Sequence, residues 1–215
     1  MSDVKTLEAL QRYTIERSLE LPTSAKDLSR SLRTALNKAS DAKKIATSPR
    51  EIQERVLVLN EPPSKLLTQL RERDLHRGAF CVVGGEKNQD RDPSRPHFRR
   101  KDGSWFDFSI TVREVGGRLE LLAYDFELRL APGMGVPFLR FDLNLPDHRN
   151  QDRELRCHLH PGHDDILVPA PLMSPIEVLA LFIDGVRPVA DRKPRTPTDF
   201  EVSWFRRTVE GLARG

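Results

Sequence analysis

Two segments of alternating polarity, joined by Gly116-Gly117, constrain the fold of this chain more than any other feature. The first covers residues 106–113 and the second residues 122–130. Successive side chains of a strand point to opposite faces, so this alternation predicts two strands that each bury one face. Two consecutive glycines suit the positive φ angles of a tight hairpin turn. The pattern therefore predicts an antiparallel hairpin with this buried face: Phe106, Phe108, Ile110, Val112, Leu122, Tyr124, Phe126, Leu128 and Leu130.

The chain before the hairpin has the periodicity of helices. Apolar residues recur at helical spacing over residues 25–39, after a capping-box-like start at Ser24. The segment Ser48-Pro49-Arg50-Glu51 predicts a second helix start, because serine caps, proline suits the first position and Glu51 reaches back to the cap. A single apolar stripe predicts the buried face of this second helix: Ile52, Val56 and Leu59. A third, short helix is predicted after Ser64.

The chain changes character after residue 78. Ala79–Val83 is a short apolar run typical of a strand, and residues 86–103 form a long polar loop with almost no core-forming side chains. Ser174-Pro175 with Glu177 predicts a helix that covers the sheet. We therefore predict an α+β fold with a helical region over 1–75, an antiparallel β-meander with one covering helix over 76–190, and a linker with a short helix over 191–215.

Composition limits the classes of function. The chain has 215 residues and a net charge of only +3, so the charge is a weak indication of a polyanionic partner. Two cysteines, Cys81 and Cys157, are too few for a disulfide scaffold and predict a reducing compartment. The sequence has no apolar run near the roughly 18 residues of a membrane span and no signal-peptide core. These features predict a cytoplasmic protein without a membrane partner.

The polar stretch over residues 136–163 holds four of the six histidines. Arg140, Asp142 and Asn144 alternate with apolar residues, which predicts one strand with a polar face. His158 and His160 flank Leu159 in the same way and predict a second such strand. We expect these groups to meet on one face of the sheet, with His148 in the loop between the strands.

One interpretation of this stretch is acid–base chemistry on RNA. Histidine titrates near neutral pH, so His158 and His160 can act as base and acid in cleavage by the 2′-hydroxyl. Arg140 would stabilise the charge that develops on the phosphorus oxygens. Asp142 would orient a histidine, His148 would be an accessory donor and Asn144 would contact substrate. This interpretation requires no cofactor.

The basic end of the 86–103 loop is a second candidate for contact with RNA. Arg99 and Arg100 follow Phe98, and a cation next to an aromatic ring suits phosphate and base contact. A solvated loop explains the same residues and is the favoured interpretation.

Two other interpretations of the histidines stay open. His158 and His160, with His148, His163 or Asp164, have the ligand types that bind zinc or another divalent ion. In the structural interpretation, three side chains cap turns through their own oxygens: Asp142, Asn144 and Asp147. Arg140 pairs with Asp142 or Glu154 across strands, and the histidines are partly exposed surface residues.

The stretch also resembles the TumE-like toxins of bacterial and archaeal toxin–antitoxin pairs over about residues 104–185. The matching positions are Arg140, Asp142, Asn144, His148, His158 and His160, followed by Val168-Pro169 and the segment 174–183. Leu143 separates Asp142 from Asn144, where the family pattern has the two residues adjacent. The helical N-terminal part has no counterpart in the compact toxin.

The resemblance implies a toxin or defence component directed at nucleic acid, with RNA as substrate and an antitoxin-like protein partner that holds it in check. A different class of function is a non-catalytic subunit of a larger assembly. Such a subunit would dock through the apolar stripes of residues 25–39 and 52–59, because helices need a surface that covers them.

Overall fold

The computed structural model describes residues 18–87, 90–148 and 156–186. The helices are α1 (Ala25–Asp41), α2 (Pro49–Arg55), α3 (Ser64–Glu72) and α4 (Pro175–Ala180), and α4 continues as a π-helical turn over Leu181–Gly185. The strands are β1 (Val56–Leu59), β2 (Ala79–Gly84), β3 (Phe98–Arg99), β4 (Trp105–Val115), β5 (Arg118–Arg129), β6 (Phe138–Leu143), β7 (Cys157–Pro161) and β8 (Val168–Pro169). The predicted α+β class is confirmed.

All the described strands belong to one antiparallel sheet. Its order is β1-β2-β4-β5-β6-β7-β8, and β3 pairs with β4 beside β2. The edges of the sheet are therefore β1 and the two-residue strand β8. The β4–β5 hairpin lies in the middle, and Gly116 and Gly117 both have positive φ as the sequence predicted.

The helix starts agree with the capping patterns. Ser48 with Glu51 and Ser174 with Glu177 each form a complete capping box with proline at the start of the helix. The Ser24 side chain accepts a hydrogen bond from the Asp27 amide at the start of α1. These local contacts satisfy amide groups that a helix leaves unpaired at its start, which fixes where each helix begins.

The prediction that the second helix continues to Leu59 is wrong. Helix α2 ends at Arg55, and Val56–Leu59 forms β1, which pairs with β2. A short apolar run fits either a helix face or a buried strand, and pairing with a neighbouring strand decides between them here. The β-branched residues Val56 and Val58 pack against the main core.

The prediction of a loop without core residues over 86–103 is also wrong at its end. Phe98 on β3 is fully buried and stacks near Phe108, with ring centroids 5.8 Å apart. His97 and Arg100 are buried beside it. A single aromatic residue in a polar segment gave no periodic signal, but the strand β4 offers it a partner.

One residue of the hairpin, Leu122, lies on the face of the sheet opposite to the predicted one. The register between β4 and β5 shifts after Thr111, which pairs with Ala123 while Val112 pairs with Leu121. Leu122 is the extra residue of this bulge, and an extra residue reverses the alternation of side chains. Leu122 therefore packs with Leu70 and Leu145 in a small second cluster.

The sheet has two unlike faces. Its apolar face is covered by α1 and α4, and α1 contributes Leu28, Leu32 and Leu36 to the same core as the hairpin phenylalanines. Helix α1 and the sheet therefore share one core, and the division into regions over 1–75 and 76–190 stays a prediction. The polar face carries the side chains of the candidate site. The predicted segment over 191–215 lies outside the described residues.

Candidate functional site

Strand pairing brings the predicted polar residues together on one face of the sheet. His158 lies opposite Asp142, and His160 lies opposite Arg140. Each of these two pairs continues onto β5, because Asp142 lies opposite Asp125 and Arg140 lies opposite Glu127. Directly opposed residues on antiparallel strands are in contact distance, so the face forms a continuous polar network.

Asp142, His158 and His160 form the centre of this network, and we call them the Asp-His cluster. Both imidazoles point Nε2 at the same carboxylate oxygen, Asp142 Oδ2, at 3.4 Å from His158 and 3.1 Å from His160. The two rings meet edge to face with centroids 4.9 Å apart. The side chains are 3%, 5% and 13% exposed for His158, His160 and Asp142, so the cluster lies beneath the surface.

Arg140 connects the cluster to solvent. Its Nε donates to Asp142 Oδ2 at 3.0 Å, and the other end of its guanidinium pairs with Asp164 on the loop after β7. Burial alone would raise the pKa of the Asp142 carboxyl. Hydrogen bonds from His158 and His160 and the charge of Arg140 outweigh burial and hold that pKa well below its usual range. Asp142 is therefore a carboxylate at any pH near neutral.

Three polar atoms of this face are buried without a hydrogen-bond partner among the described residues: Asp142 Oδ1, Asp125 Oδ1 and His160 Nδ1. Buried polar atoms are usually paired, so each one marks a position where a ligand or solvent atom would be stabilised. Asp125 is directly opposite Asp142, and its other oxygen pairs with Lys87. The unpaired oxygens thus belong to two neighbouring carboxylates.

A cleft of about 340 Å³ opens beside the cluster. Its lining residues come from three strands and two loops: Lys87, Arg91, Asp107, Asp125, Glu127, Arg140 and Asp164. Arg91 lies over the Phe138 ring at 3.8 Å and donates to Glu127 at 2.7 Å. It also donates to both oxygens of Asp164, at 2.9 and 3.0 Å.

Asp164 is therefore held between two guanidinium groups, those of Arg91 and Arg140, although its side chain is half exposed. We call this pair of arginines the arginine clamp. Guanidinium groups bind carboxylates and phosphates with the same geometry. The Asp164 carboxylate thus occupies a position that suits a phosphate group.

Asp107 is an acid of the cleft whose pKa lies far above its usual range. Burial, with the nearby charges of Asp125 and Glu127, raises the pKa of Asp107 to about 8. Asp107 and Glu127 are directly opposite on neighbouring strands, where two negative charges repel. Asp107 is consequently protonated over most of the neutral range.

The other predicted site residues do not reach the cluster. His148 follows a turn at Asp147, and its amide donates to the Leu145 carbonyl. The Asn144 amide donates to the Arg156 carbonyl, and the Arg156 side-chain Nε donates to the Asn144 carbonyl. The side-chain Nδ2 of Asn144 is buried without a partner among the described residues.

The two predicted arginines of the basic loop lie elsewhere. Arg99 is an exposed side chain 3.9 Å from Glu51 of α2. Arg100 is buried and donates to the carbonyl oxygens of Phe182 and Val186 at 2.6 Å each, so its guanidinium holds the end of the last helix in place. Neither residue lines the cleft.

Sequence reasoning missed most of the cleft. Asp107, Asp125 and Glu127 lie on the polar side of the alternating hairpin, so pairing β5 with the Arg140 strand would have found them. Lys87 and Arg91 come from a polar loop with no periodic signal, and their contacts depend on tertiary structure.

Asp142, His158 and His160 are also the residues that could hold a metal ion, because one ligand atom from each lies within 4.8 Å of the others. Within the described residues, no helix has both the length and the apolar character needed to cross a membrane. The chain matches no family model, no curated protein and no solved structure.

Proposed function

We propose that this protein is a toxin-like or defence-associated ribonuclease, cytoplasmic and controlled by a protein partner. The observation that carries the proposal is the convergence of Asp142, His158 and His160 beside Arg140 at the edge of a cleft. The TumE resemblance rests on the same residues. The choice of RNA as substrate, and of an antitoxin-like protein as partner, follows from this resemblance.

The arginine clamp supports a phosphodiester substrate. A phosphate that displaced Asp164 would receive donors from both Arg91 and Arg140, which is the bidentate recognition that guanidinium groups favour. Arg140 would then contact the substrate with one end and Asp142 with the other. A phosphate bound in this way would have its phosphorus next to the Asp-His cluster.

The Asp-His cluster would activate the attacking oxygen. Two chemical routes are compatible with its donor set: an imidazole can take the proton directly, or a bound divalent cation can lower the pKa of the oxygen. In the first route, Asp142 would orient the two rings by accepting hydrogen bonds from their Nε2 atoms. In the second route, Asp142 would bind the cation together with the two Nε2 atoms. Arg140 would stabilise the negative charge of the transition state.

The double variant His158→Gln/His160→Gln tests the proposal. Glutamine keeps much of the volume and a donor toward Asp142 but cannot exchange a proton near neutral pH. We expect cleavage of a mixed-sequence single-stranded RNA, and inhibition of growth on expression, to fall by about 10²-fold or more. The matched control is His163→Gln, an exposed histidine outside the cluster. A folded double variant with wild-type cleavage would exclude this site.

The same assay with a 2′-deoxy substrate separates the nucleophiles. Loss of cleavage on the deoxy substrate indicates attack by the 2′-hydroxyl, and retained cleavage indicates attack by water. The alternative of a non-catalytic subunit that docks through its N-terminal helices has less support, because the apolar stripe of α1 is buried against the sheet.

A further inference from the structure

We propose that Asp142, His158 and His160 bind one divalent transition-metal ion of the zinc class. The catalytic meaning of such an ion rests on the proposed ribonuclease function, whereas its binding does not. Two imidazoles and one carboxylate are a common protein ligand set for zinc and related ions, with further positions left open. His158 and His160 are ligands from one strand, and Asp142 is the ligand from its neighbour.

The two separations between Asp142 Oδ2 and the imidazole nitrogens fit a small tetrahedral ion. Two ligands at roughly 2.0–2.1 Å from zinc, at a tetrahedral angle, lie about 3.3 Å apart. The two Nε2 atoms lie 3.4 and 3.1 Å from Asp142 Oδ2. All three ligand atoms lie within 4.8 Å of one another, so an ion beside Asp142 Oδ2 would draw the two imidazoles together while the strands keep their register.

Without a bound ion, the hydrogen bonds of the Asp142 carboxylate are unevenly distributed between its two oxygens. Arg140 Nε, His158 Nε2 and His160 Nε2 all approach Oδ2, although a carboxylate oxygen offers about two lone-pair directions. The other oxygen, Oδ1, is buried without a partner among the described residues. An ion between the imidazoles and Asp142 would replace two crowded contacts with coordination. Arg140 would then be an outer partner that orients the carboxylate.

A second carboxylate beside the cluster also favours a cation. Five carboxylates, Asp107, Asp125, Glu127, Asp142 and Asp164, lie near four permanent cations, Lys87, Arg91, Arg129 and Arg140. With Asp107 protonated and the histidines neutral, the four other carboxylates balance these four cations. Asp125 lies directly opposite Asp142, and its buried Oδ1 is close enough to add negative potential at the cluster.

Metal titration of the full-length protein tests the site. We would remove metal with a chelator, dialyse, and titrate with Zn²⁺, Co²⁺ and Mg²⁺ by calorimetry. We expect about one equivalent of Zn²⁺ or Co²⁺ to bind and Mg²⁺ not to compete, because Mg²⁺ prefers oxygen ligands. Absence of Zn²⁺ and Co²⁺ binding by folded wild-type protein would overturn the proposal.

Conservative variants locate the ion. Asp142→Asn, His158→Gln and His160→Gln should each weaken Zn²⁺ binding by more than the roughly 10- to 100-fold that loss of an outer partner costs. His163→Gln should leave binding unchanged, since His163 lies outside the cluster. Equal affinity in all four variants would overturn the assignment. X-ray absorption of the Zn²⁺-loaded wild-type protein needs no variant and should show two imidazole ligands; a site without imidazole would also overturn it.

The outcomes for binding and for cleavage are separable. If Zn²⁺ binds with the expected variant pattern but RNA stays intact, the metal site stands and the ribonuclease proposal fails. If chelator-treated protein cleaves RNA at the wild-type rate, the ribonuclease proposal stands and the catalytic meaning of the ion is overturned.

Discussion

The two faces of the central sheet are organised by different rules. The apolar face is continuous, covered by α1 and α4, and built from residues that alternate along each strand. The polar face combines strand residues with Lys87, Arg91 and Asp164 from loops. Local periodicity therefore specifies the covered face, whereas the polar face depends on which loops reach it.

The two faces also differ in what their buried side chains require. Phe126 and His158 are both almost inaccessible, but Phe126 needs only close packing, while His158 needs partners for its polar atoms. We therefore expect the apolar face to carry the stability and the polar face to carry the chemistry.

Phe126→Ala should cause the largest loss of stability. Phe126 is fully buried and packs against the rings of Phe108 at 5.0 Å and Tyr124 at 5.6 Å between centroids. Truncation of a phenylalanine in such a core lowers the free energy of unfolding by about 3–5 kcal/mol. Urea unfolding measures this value. A loss below about 1 kcal/mol would show that the apolar face does not dominate stability.

His160→Gln should separate chemistry from stability. We expect RNA cleavage to fall by about 10²-fold, because the imidazole is the group that can exchange a proton or bind a cation. The free energy of unfolding should change by less than in Phe126→Ala, since glutamine can still donate to Asp142. Circular dichroism and urea unfolding provide the control. Equal losses of stability in both variants would erase the proposed difference between the faces.

Asp107→Asn should change the pH dependence of stability. The folded-state pKa of Asp107 is raised to about 8, so the folded protein binds a proton that the unfolded chain releases above about pH 4. This group therefore contributes stability that is lost as the pH rises through 8. Asparagine resembles the protonated acid, so the variant should lose less stability between pH 6 and 9. Parallel pH profiles of the two proteins would contradict this assignment.

Asp164→Asn should have the smallest effect on stability. Its side chain is half exposed, and exposed ion pairs contribute only about 0–1 kcal/mol. Loss of the carboxylate should nevertheless open the arginine clamp, so the affinity for a short single-stranded RNA should rise. Fluorescence anisotropy at a fixed salt concentration measures this RNA affinity, and Asp165→Asn on the same loop is the control. Unchanged RNA affinity would mean that Asp164 does not occupy a phosphate position.

Much of the framework could be predicted from the sequence, for identifiable physical reasons. Capping boxes at Ser48 and Ser174 are local, and the hairpin needs only alternation and two glycines. Arg140, Asp142, His158 and His160 were predicted to share a face because alternation assigns each of them to one side of a strand. Pairing of β6 with β7 confirmed their proximity.

The errors have non-local causes. The strand β1 forms because β2 offers it a partner, and Phe98 is buried because β4 does. Arg100 was expected near substrate, but carbonyl oxygens far along the chain bind its guanidinium. The burial of the His158 and His160 side chains was also not predicted. Strand alternation predicts the face of the sheet on which a side chain lies, but it does not predict what covers that face.

The edges of the sheet have a consequence for self-association. At β8, Pro169 lacks the amide hydrogen that an incoming chain would need, so another molecule cannot readily extend the sheet beside the histidines. At β1, the Arg33 side chain already occupies the carbonyl of Val56, and the strand has only four residues. Both edges of the sheet thus disfavour strand pairing between copies of the chain, which is the contact that builds fibres.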